Sequence, residues 1–280
     1  MEILRTVHEL RQWARADRSE GNTIGIVPTM GALHAGHASL IRAANHQCGF
    51  VAVSIFVNPT QFGPNEDYSR YPRTFDADCA LAKAEGANVV FAPSVEELYP
   101  SGSATFVEVE GLSDRLDGAS RPGHFRGVAT VVSKLLIATE ADLGFFGQKD
   151  AAQVAVLRRM VMDLRLPARI VVCPIVREPD GLALSSRNVY LSATERAQAL
   201  VLSRAVRRVE SMIAMGERRA PVLISEARRI FAGESAVRAD YIELVDWNTL
   251  LRVDMAMPGT LFAVAAWVGT TRLIDNTIIG

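Results

Sequence analysis

Short apolar runs alternate with segments of helical period over the first two thirds of the chain. Leu4, Val7, Leu10 and Trp13 or Ala14 recur at helical spacing, and Gly21-Asn22 stops that helix. Apolar runs then predict strands at 23–27, closed by Pro28, and at 50–57, 88–92, 142–146 and 169–173. Helical patterns lie between them at about 36–47, 74–84, 128–138 and 151–164. Short all-apolar strands separated by helices imply a parallel sheet covered on both faces. Right-handed crossovers make this a Rossmann-like, doubly wound α/β domain. The pattern changes after Cys173. Ser192-Ala-Thr-Glu195 is a capping box that opens a long helix reaching about Met215, and Pro221 opens another that ends near Gly233. Runs at 241–245, 261–268 and 273–276 lack intervening helices, which predicts a small antiparallel sheet. The expected organisation is an α/β domain over 1–174 and a smaller α+β domain over 175–280, with the boundary near Pro174.

Charge and cysteine content narrow the class. The chain carries 30 Lys+Arg against 31 Asp+Glu, so no global field is available to grip nucleic acid or anionic lipid. Cys48, Cys79 and Cys173 are widely spaced, which argues against a disulfide framework and excludes a cysteine-rich zinc site. No run approaches the ~20 apolar residues of a membrane helix, and the N-terminus lacks the basic-then-apolar order of a secretory signal. A cytoplasmic protein is the expectation.

The segments that carry chemistry sit at the carboxyl ends of the predicted strands, where open α/β sheets bind ligands. The first strand runs into Pro28-Thr29-Met30-Gly31-Ala32-Leu33-His34-Ala35-Gly36-His37, and a helix follows. A helix N-terminus offers free N–H groups and a partial positive charge suited to phosphate. Gly31 and Gly36 let the backbone approach closely. His34 and His37 can face one ligand and donate hydrogen bonds as charge develops in a displacement. Asn58 and Gln61 follow the second strand and bring neutral donors and acceptors, suited to a substrate with hydroxyl and carboxylate groups. An ordinary Asn-Pro turn has the same composition. Arg121-Pro122-Gly123-His124-Phe125-Arg126-Gly127 reads equally as an anion contact or as a solvated basic loop. Lys149 beside Asp150 closes the fourth strand and reads as a phosphate contact or as a plain helix start, and Gln153 shares that surface. Ser185, Ser186 and Arg187, on a loop anchored by Gly181, read as a mobile anion clamp or as a hairpin loop. The sequence offers no activated cysteine and no GxSxG elbow, so an acyl-enzyme is not suggested.

PTMGALHAGH, NPTQF, RPGHFRGV, FGQKDAAQ and LALSSRN, in this order and spacing, resemble the pantoate–β-alanine ligase family, part of the nucleotidyltransferase superfamily marked by an HxGH turn. The likeness runs from about residue 3 to the C-terminus. It implies a reaction in two steps. Pantoate carboxylate attacks the α-phosphate of ATP to give pantoyl adenylate and pyrophosphate, and the amine of β-alanine then displaces AMP. The resemblance also implies magnesium with ATP, no nucleic-acid or membrane partner, and a cytoplasmic homodimer with a smaller C-terminal lid. Met30, Gly31, Ala32, Leu33, His34, Ala35, Gly36 and His37 match the family's ATP-binding turn, with His37 at the position of the proton donor. Gln61 matches a residue that binds both pantoate and β-alanine, and Gln153 a pantoate ligand. Asn58 joins them as a substrate-side group. Gly147, Gln148, Lys149 and Asp150 match an ATP segment in which Lys149 contacts phosphate. Val176 matches an adenine-side contact, and Leu184, Ser185, Ser186 and Arg187 match the flexible clamp. Leu184 stands where Met is usual, a volume-conserving exchange. The clamp has no Lys, which leaves the positive charge to Arg187 and Lys149. Asp76 and Asp78 fall where some members place acidic residues, and no metal ligand is assigned.

Overall fold

Six parallel strands form the first sheet of the computed structural model, which describes residues 1–64 and 66–280. They are β1 (Glu2–Leu4), β2 (Ile24–Thr29), β3 (Phe50–Ile55), β4 (Val89–Phe91), β5 (Leu143–Gly147) and β6 (Arg169–Cys173), in the order β1-β4-β3-β2-β5-β6. From β2 the chain steps through β3 to β4 in one direction, then crosses to β5 and β6 in the other, while β1 pairs with β4 at the edge. The switch lies at β2, between β3 and β5. Helices cover both faces. On one side lie α1 (Val7–Ser19), α6 (His124–Thr139) and α7 (Ala151–Asp163), on the other α2 (Ala35–Gln47) and α3 (Phe75–Ala84). The doubly wound expectation therefore holds.

Three local expectations change. The segment at Leu4 begins as strand β1, whose three residues are too short to leave a periodic signature and are recruited by pairing with β4. Pro28 does not close the first strand but lies inside β2. Ile24 donates its N–H to the Asp142 carboxylate and accepts from the Asp142 N–H, both on the β5 side, so Pro28, four residues on, also turns its nitrogen towards β5. Pairing of β2 with β5 stops at Ile26, and the missing N–H breaks no ladder bond. The two strands part there, which opens a crevice at their carboxyl ends. Helix α6 starts four residues before the expected Val128, at His124, behind Gly123 in a left-handed conformation. Two short helices, α4 (Val95–Leu98) and α5 (Asp117–Ser120), carry too few residues to announce themselves by period.

The C-terminal part holds an antiparallel sheet of β7 (Val237–Asp246), β8 (Thr260–Val268) and β9 (Thr271–Ile278). The capping box forms, with Ser192 and Glu195 bonded reciprocally. The long helix expected to follow it is instead two, α8 (Ala193–Ala199) and α9 (Val201–Ala214). At Leu200 the N–H turns back to the Gln198 carbonyl and interrupts the ladder. Helix α10 (Ala220–Phe231) carries Pro221 in its first turn, where no N–H is needed. These helices pack on β7–β9 in a core of their own. The opposite face of the sheet joins the larger core: Val245, Leu261 and Ala263, with Leu250 from the turn after β7, belong to the same apolar cluster as α6 and α7. Trp247 Nε1 donates to the Ala151 carbonyl at 3.0 Å. Asp117 ties the parts together, accepting from Arg272 at 2.7 Å and from the Tyr241 hydroxyl at 3.2 Å. Among the described residues no helix is long and apolar enough to cross a membrane.

Helix α6 lies against the turn after β3 because residue 127 is glycine. A Cβ there would stand 2.4 Å from the Thr60 carbonyl oxygen and 2.6 Å from the Gln61 nitrogen. Gly127→Ala is therefore expected to destabilise the chain by about 1–3 kcal/mol through overpacking against backbone. Urea unfolding tests this, and a midpoint equal to that of the parent would contradict it.

Candidate active site

The carboxyl ends of β2, β3, β5 and β6 surround one cavity. Met30, His34, Gly36, His37, Asn58, Gln61, Gly147, Lys149, Asp150, Gln153, Val176, Leu184, Ser185, Ser186 and Arg187 all line it. Gly31, Ala32, Leu33, Ala35 and Gln148 are not among the lining residues, although each lies close in sequence to one that is.

The turn after β2 explains why. Gly31 and Ala32 both have positive φ, +84° and +49°. Their backbone N–H groups turn inward. Gly31 donates to Thr29 Oγ1 at 3.2 Å, Ala32 to Asp78 Oδ2 at 3.0 Å and Leu33 to Asp78 Oδ1 at 2.8 Å. Asp78 is 2% exposed and also accepts from the Thr74 hydroxyl at 3.0 Å. The histidines take the next donors: His34 N–H bonds His37 Nδ1 at 3.3 Å, and Gly36 N–H bonds His34 Nδ1 at 3.1 Å. The N–H groups of the turn, of the N-cap His34 and of Gly36 are thus engaged by side chains. The imidazoles add donors of their own. A backbone N–H can only donate, so each Nδ1 is an acceptor and each neutral ring carries its proton on Nε2. The rings lie 4.2 Å apart between centroids, leaving two N–H donors as the turn's offering to a ligand. Burial holds both rings neutral. His37 is pushed down to about 3 by burial and then by His34, and His34 is lowered by burial and then by Lys149.

Asn58, 1% exposed, is fully committed. Its Nδ2 donates to Gln61 Oε1 and to the Gly127 carbonyl, each at 3.1 Å, while its Oδ1 accepts from Thr60 Oγ1 and the Tyr99 hydroxyl, each at 2.9 Å. It holds no spare group for a substrate. A substrate contact there requires exchange of one of these bonds. Gln61 is different. Among the described residues its Nε2 meets only the Met30 sulfur at 3.0 Å, a weak acceptor. Gln153, half-buried, makes no side-chain hydrogen bond to the described residues. Lys149 Nζ lies 3.6 Å from Asp150 Oδ1, too far for a hydrogen bond.

The cationic loops are paired within the protein. Arg187 bonds Asp67 through Nε at 3.1 Å and Nη2 at 2.9 Å, and the Tyr71 hydroxyl meets Ser186 Oγ at 3.2 Å. The positive charge expected of Arg187 is therefore balanced by Asp67. Arg121 forks onto Glu66 at 2.7 and 2.6 Å and donates to His124 Nε2 at 3.0 Å. His124 Nδ1 then donates to the Gln61 carbonyl at 2.8 Å. The loop is not a solvated one: Arg121 and His124 line the cavity and brace the Gln61 carbonyl. Burial and Arg121 push His124 down to about 4.

Sequence reasoning missed Asp67, Tyr71, Thr74 and the role of Asp78. Only Asp78 left a usable signal: it occupies the apolar stripe Phe75–Asp78–Ala82 of α3, where a carboxylate is out of place unless bonded. Among the described residues no group of three or more His, Cys, Asp or Glu side chains is placed to hold a metal ion.

A doubly wound sheet, an HxGH turn and a facing cationic loop together define an α/β enzyme of the nucleotidyltransferase type. The family model for pantoate-beta-alanine ligase matches residues 2–278. The pantothenate synthetase of Acidobacterium capsulatum is 59% identical, over 100% of this chain and 95% of that protein. That of Thermotoga petrophila is 52% identical over 100% of both. The crystal structure of pantothenate synthetase from Thermus thermophilus superposes with a TM-score of 0.94 at 43% identity, covering 99% of each chain. A pantoate-beta-alanine ligase from Francisella tularensis, complexed with beta-gamma ATP and beta-alanine, gives 0.78 at 33% identity, over 99% of this chain and 97% of that one. The chain belongs to the pantoate–β-alanine ligase family.

The depressed His37 has a consequence for stability. As pH falls below its ordinary 6.5 the unfolded chain takes up the proton, while folded His37 does so only near 3. Protonation favours the unfolded chain across that window, so stability falls as pH drops through it. His37→Gln removes the group. Its melting temperature should fall less than the parent's between pH 7 and pH 4, and identical slopes would contradict the assignment.

Proposed function

We propose that the chain condenses (R)-pantoate with β-alanine through a pantoyl adenylate, with the residues around the cavity in specific roles. A pantoate carboxylate oxygen attacks the α-phosphorus of ATP. A new O–P bond forms, the bond to the bridging oxygen breaks, and pyrophosphate leaves. The amine of β-alanine then attacks the acyl carbon, the C–O bond to AMP breaks, and the nitrogen sheds a proton. The observation that carries this reading is the pair of neutral imidazoles whose Nδ1 atoms are occupied by backbone N–H groups. Each is left with one fixed Nε2–H donor facing the cavity, suited to phosphate oxygens as charge moves onto the leaving group.

Lys149 supplies a cation within electrostatic reach of both imidazoles. Gly147 and Asp150 flank it, and Gln148 supports it from behind. Met30 to His37 form the nucleotide turn, with Gly31, Ala32, Leu33 and Ala35 shaping it rather than touching the ligand. Gln61, whose amide has only a thioether partner, and Gln153 take the hydroxyl and carboxylate groups of pantoate. Gln61 also serves β-alanine. Asn58 holds Gln61 at the correct angle. Val176 borders the adenine, and Leu184, Ser185, Ser186 and Arg187 close over the phosphates once Arg187 exchanges Asp67 for ATP. Magnesium bound to ATP would offset charge on its phosphates, with no group of metal-ligating side chains among the described residues to hold it. Asp78, with both oxygens bonded to protein donors, is not its ligand. The division at residue 174, a homodimer and a cytoplasmic location belong to the same reading, supported by the family to which the chain belongs.

Isotope exchange between pyrophosphate and ATP tests the reaction order. The exchange should require pantoate and proceed without β-alanine. Exchange that strictly needs the amine would rule out a free-standing adenylation step.

A further inference from the structure

Lys149 is not held by its own neighbours alone. Asn276, on β9 of the C-terminal sheet and 3% exposed, donates Nδ2–H to the Gln148 carbonyl at 3.0 Å and to the Lys149 carbonyl at 2.8 Å. Its Oδ1 accepts from Gln148 Nε2 at 3.3 Å. The Gln148 carbonyl belongs to the peptide plane before the Lys149 Cα, and the Lys149 carbonyl to the plane after it. One planar amide therefore fixes both peptide planes around that Cα, and with them the direction in which the lysine side chain leaves the backbone. The turn Gln148–Asp150 is a single 3-10 turn between β5 and α7, with no capping bond from a side chain of its own at its start. An unbraced lysine there would sample several backbone states. The neighbouring Asp275, 2% exposed, accepts from Arg177 at 2.6 and 2.9 Å, and Arg177 also reaches the Gly181 carbonyl at the base of the clamp loop. Two consecutive residues of β9 thus brace both the lysine turn and the clamp.

We infer that Asn276 is a positioning residue for adenylation, acting through Lys149 by fixing the two peptide planes around it. This rests on the reading of Lys149 as a phosphate contact. Its chemistry is preorganisation: the ammonium is already aimed when ATP arrives, and no backbone ordering remains to be done in the transition state.

The test compares Asn276→Ala, Lys149→Ala and the double variant in two assays: pyrophosphate–ATP exchange with pantoate, and amide formation from supplied pantoyl adenylate. Asn276→Ala should slow exchange by roughly ten- to a hundredfold, the scale of a misplaced reacting group. It should leave amide formation within about twofold, because that step involves no pyrophosphate. In the Lys149→Ala background the second substitution should change exchange by less than about twofold, since coupled residues are not additive. A merely structural Asn276 would lower the yield of folded protein without separating the half-reactions. Asn276→Ser keeps a small polar side chain, too short to span both carbonyls, and carries the comparison if the alanine variant does not fold. Parental exchange in Asn276→Ala beside slow Lys149→Ala would overturn this inference alone, as would independent, multiplying effects in the double variant. Parental exchange in Lys149→Ala would overturn the phosphate reading and this inference with it.

Discussion

The grip of one buried carboxylate on two backbone N–H groups sets the geometry of the site. Asp78 accepts from Ala32 and Leu33 just where the chain leaves β2 through two consecutive left-handed residues. Ala32 would not hold that conformation unaided, because its Cβ disfavours it. A carboxylate accepting short, charge-assisted bonds compensates. The consequence passes down the turn: with the first donors consumed, the next are taken by the imidazoles, and each histidine is locked into the tautomer that presents Nε2–H. On this frame the imidazoles add side-chain N–H donors to the helix N-terminus expected of such a corner.

The rest of the site is braced from far away in sequence. Glu66, Arg121 and His124 form a chain that ends on the Gln61 carbonyl, and Gly127 lets α6 press against the same turn. Lys149 depends on β9. Charges are managed the same way. Arg187 rests on Asp67 and Arg121 on Glu66, so among the pocket's described cations Lys149 is the least neutralised.

The apolar runs made five of the six parallel strands and the antiparallel sheet legible, because strands buried on both faces leave uninterrupted Val, Ile and Phe stretches. The five motifs were legible because their residues lie within a few positions of one another. What escaped is long-range or short. Strand β1 exists only through its partner β4. The break at Leu200 has no Gly or Pro to announce it. Asn276 lies 127 residues from Lys149, and nothing local marks a strand asparagine as a brace. Pro28 misled for a physical reason: it reads as a strand end unless the neighbouring strand is known to have parted already.

Titration of ATP and of pantoate into Asp78→Asn measures this frame directly. An amide has one acceptor oxygen where the carboxylate has two, so one turn N–H is left facing an NH2 group. ATP affinity should fall roughly ten- to a hundredfold, the worth of a hydrogen bond to a charged acceptor at about 1.5–3 kcal/mol. Pantoate affinity in the same protein should stay at the parental value. Parental ATP affinity in Asp78→Asn, or an equal loss for both ligands, would contradict the account.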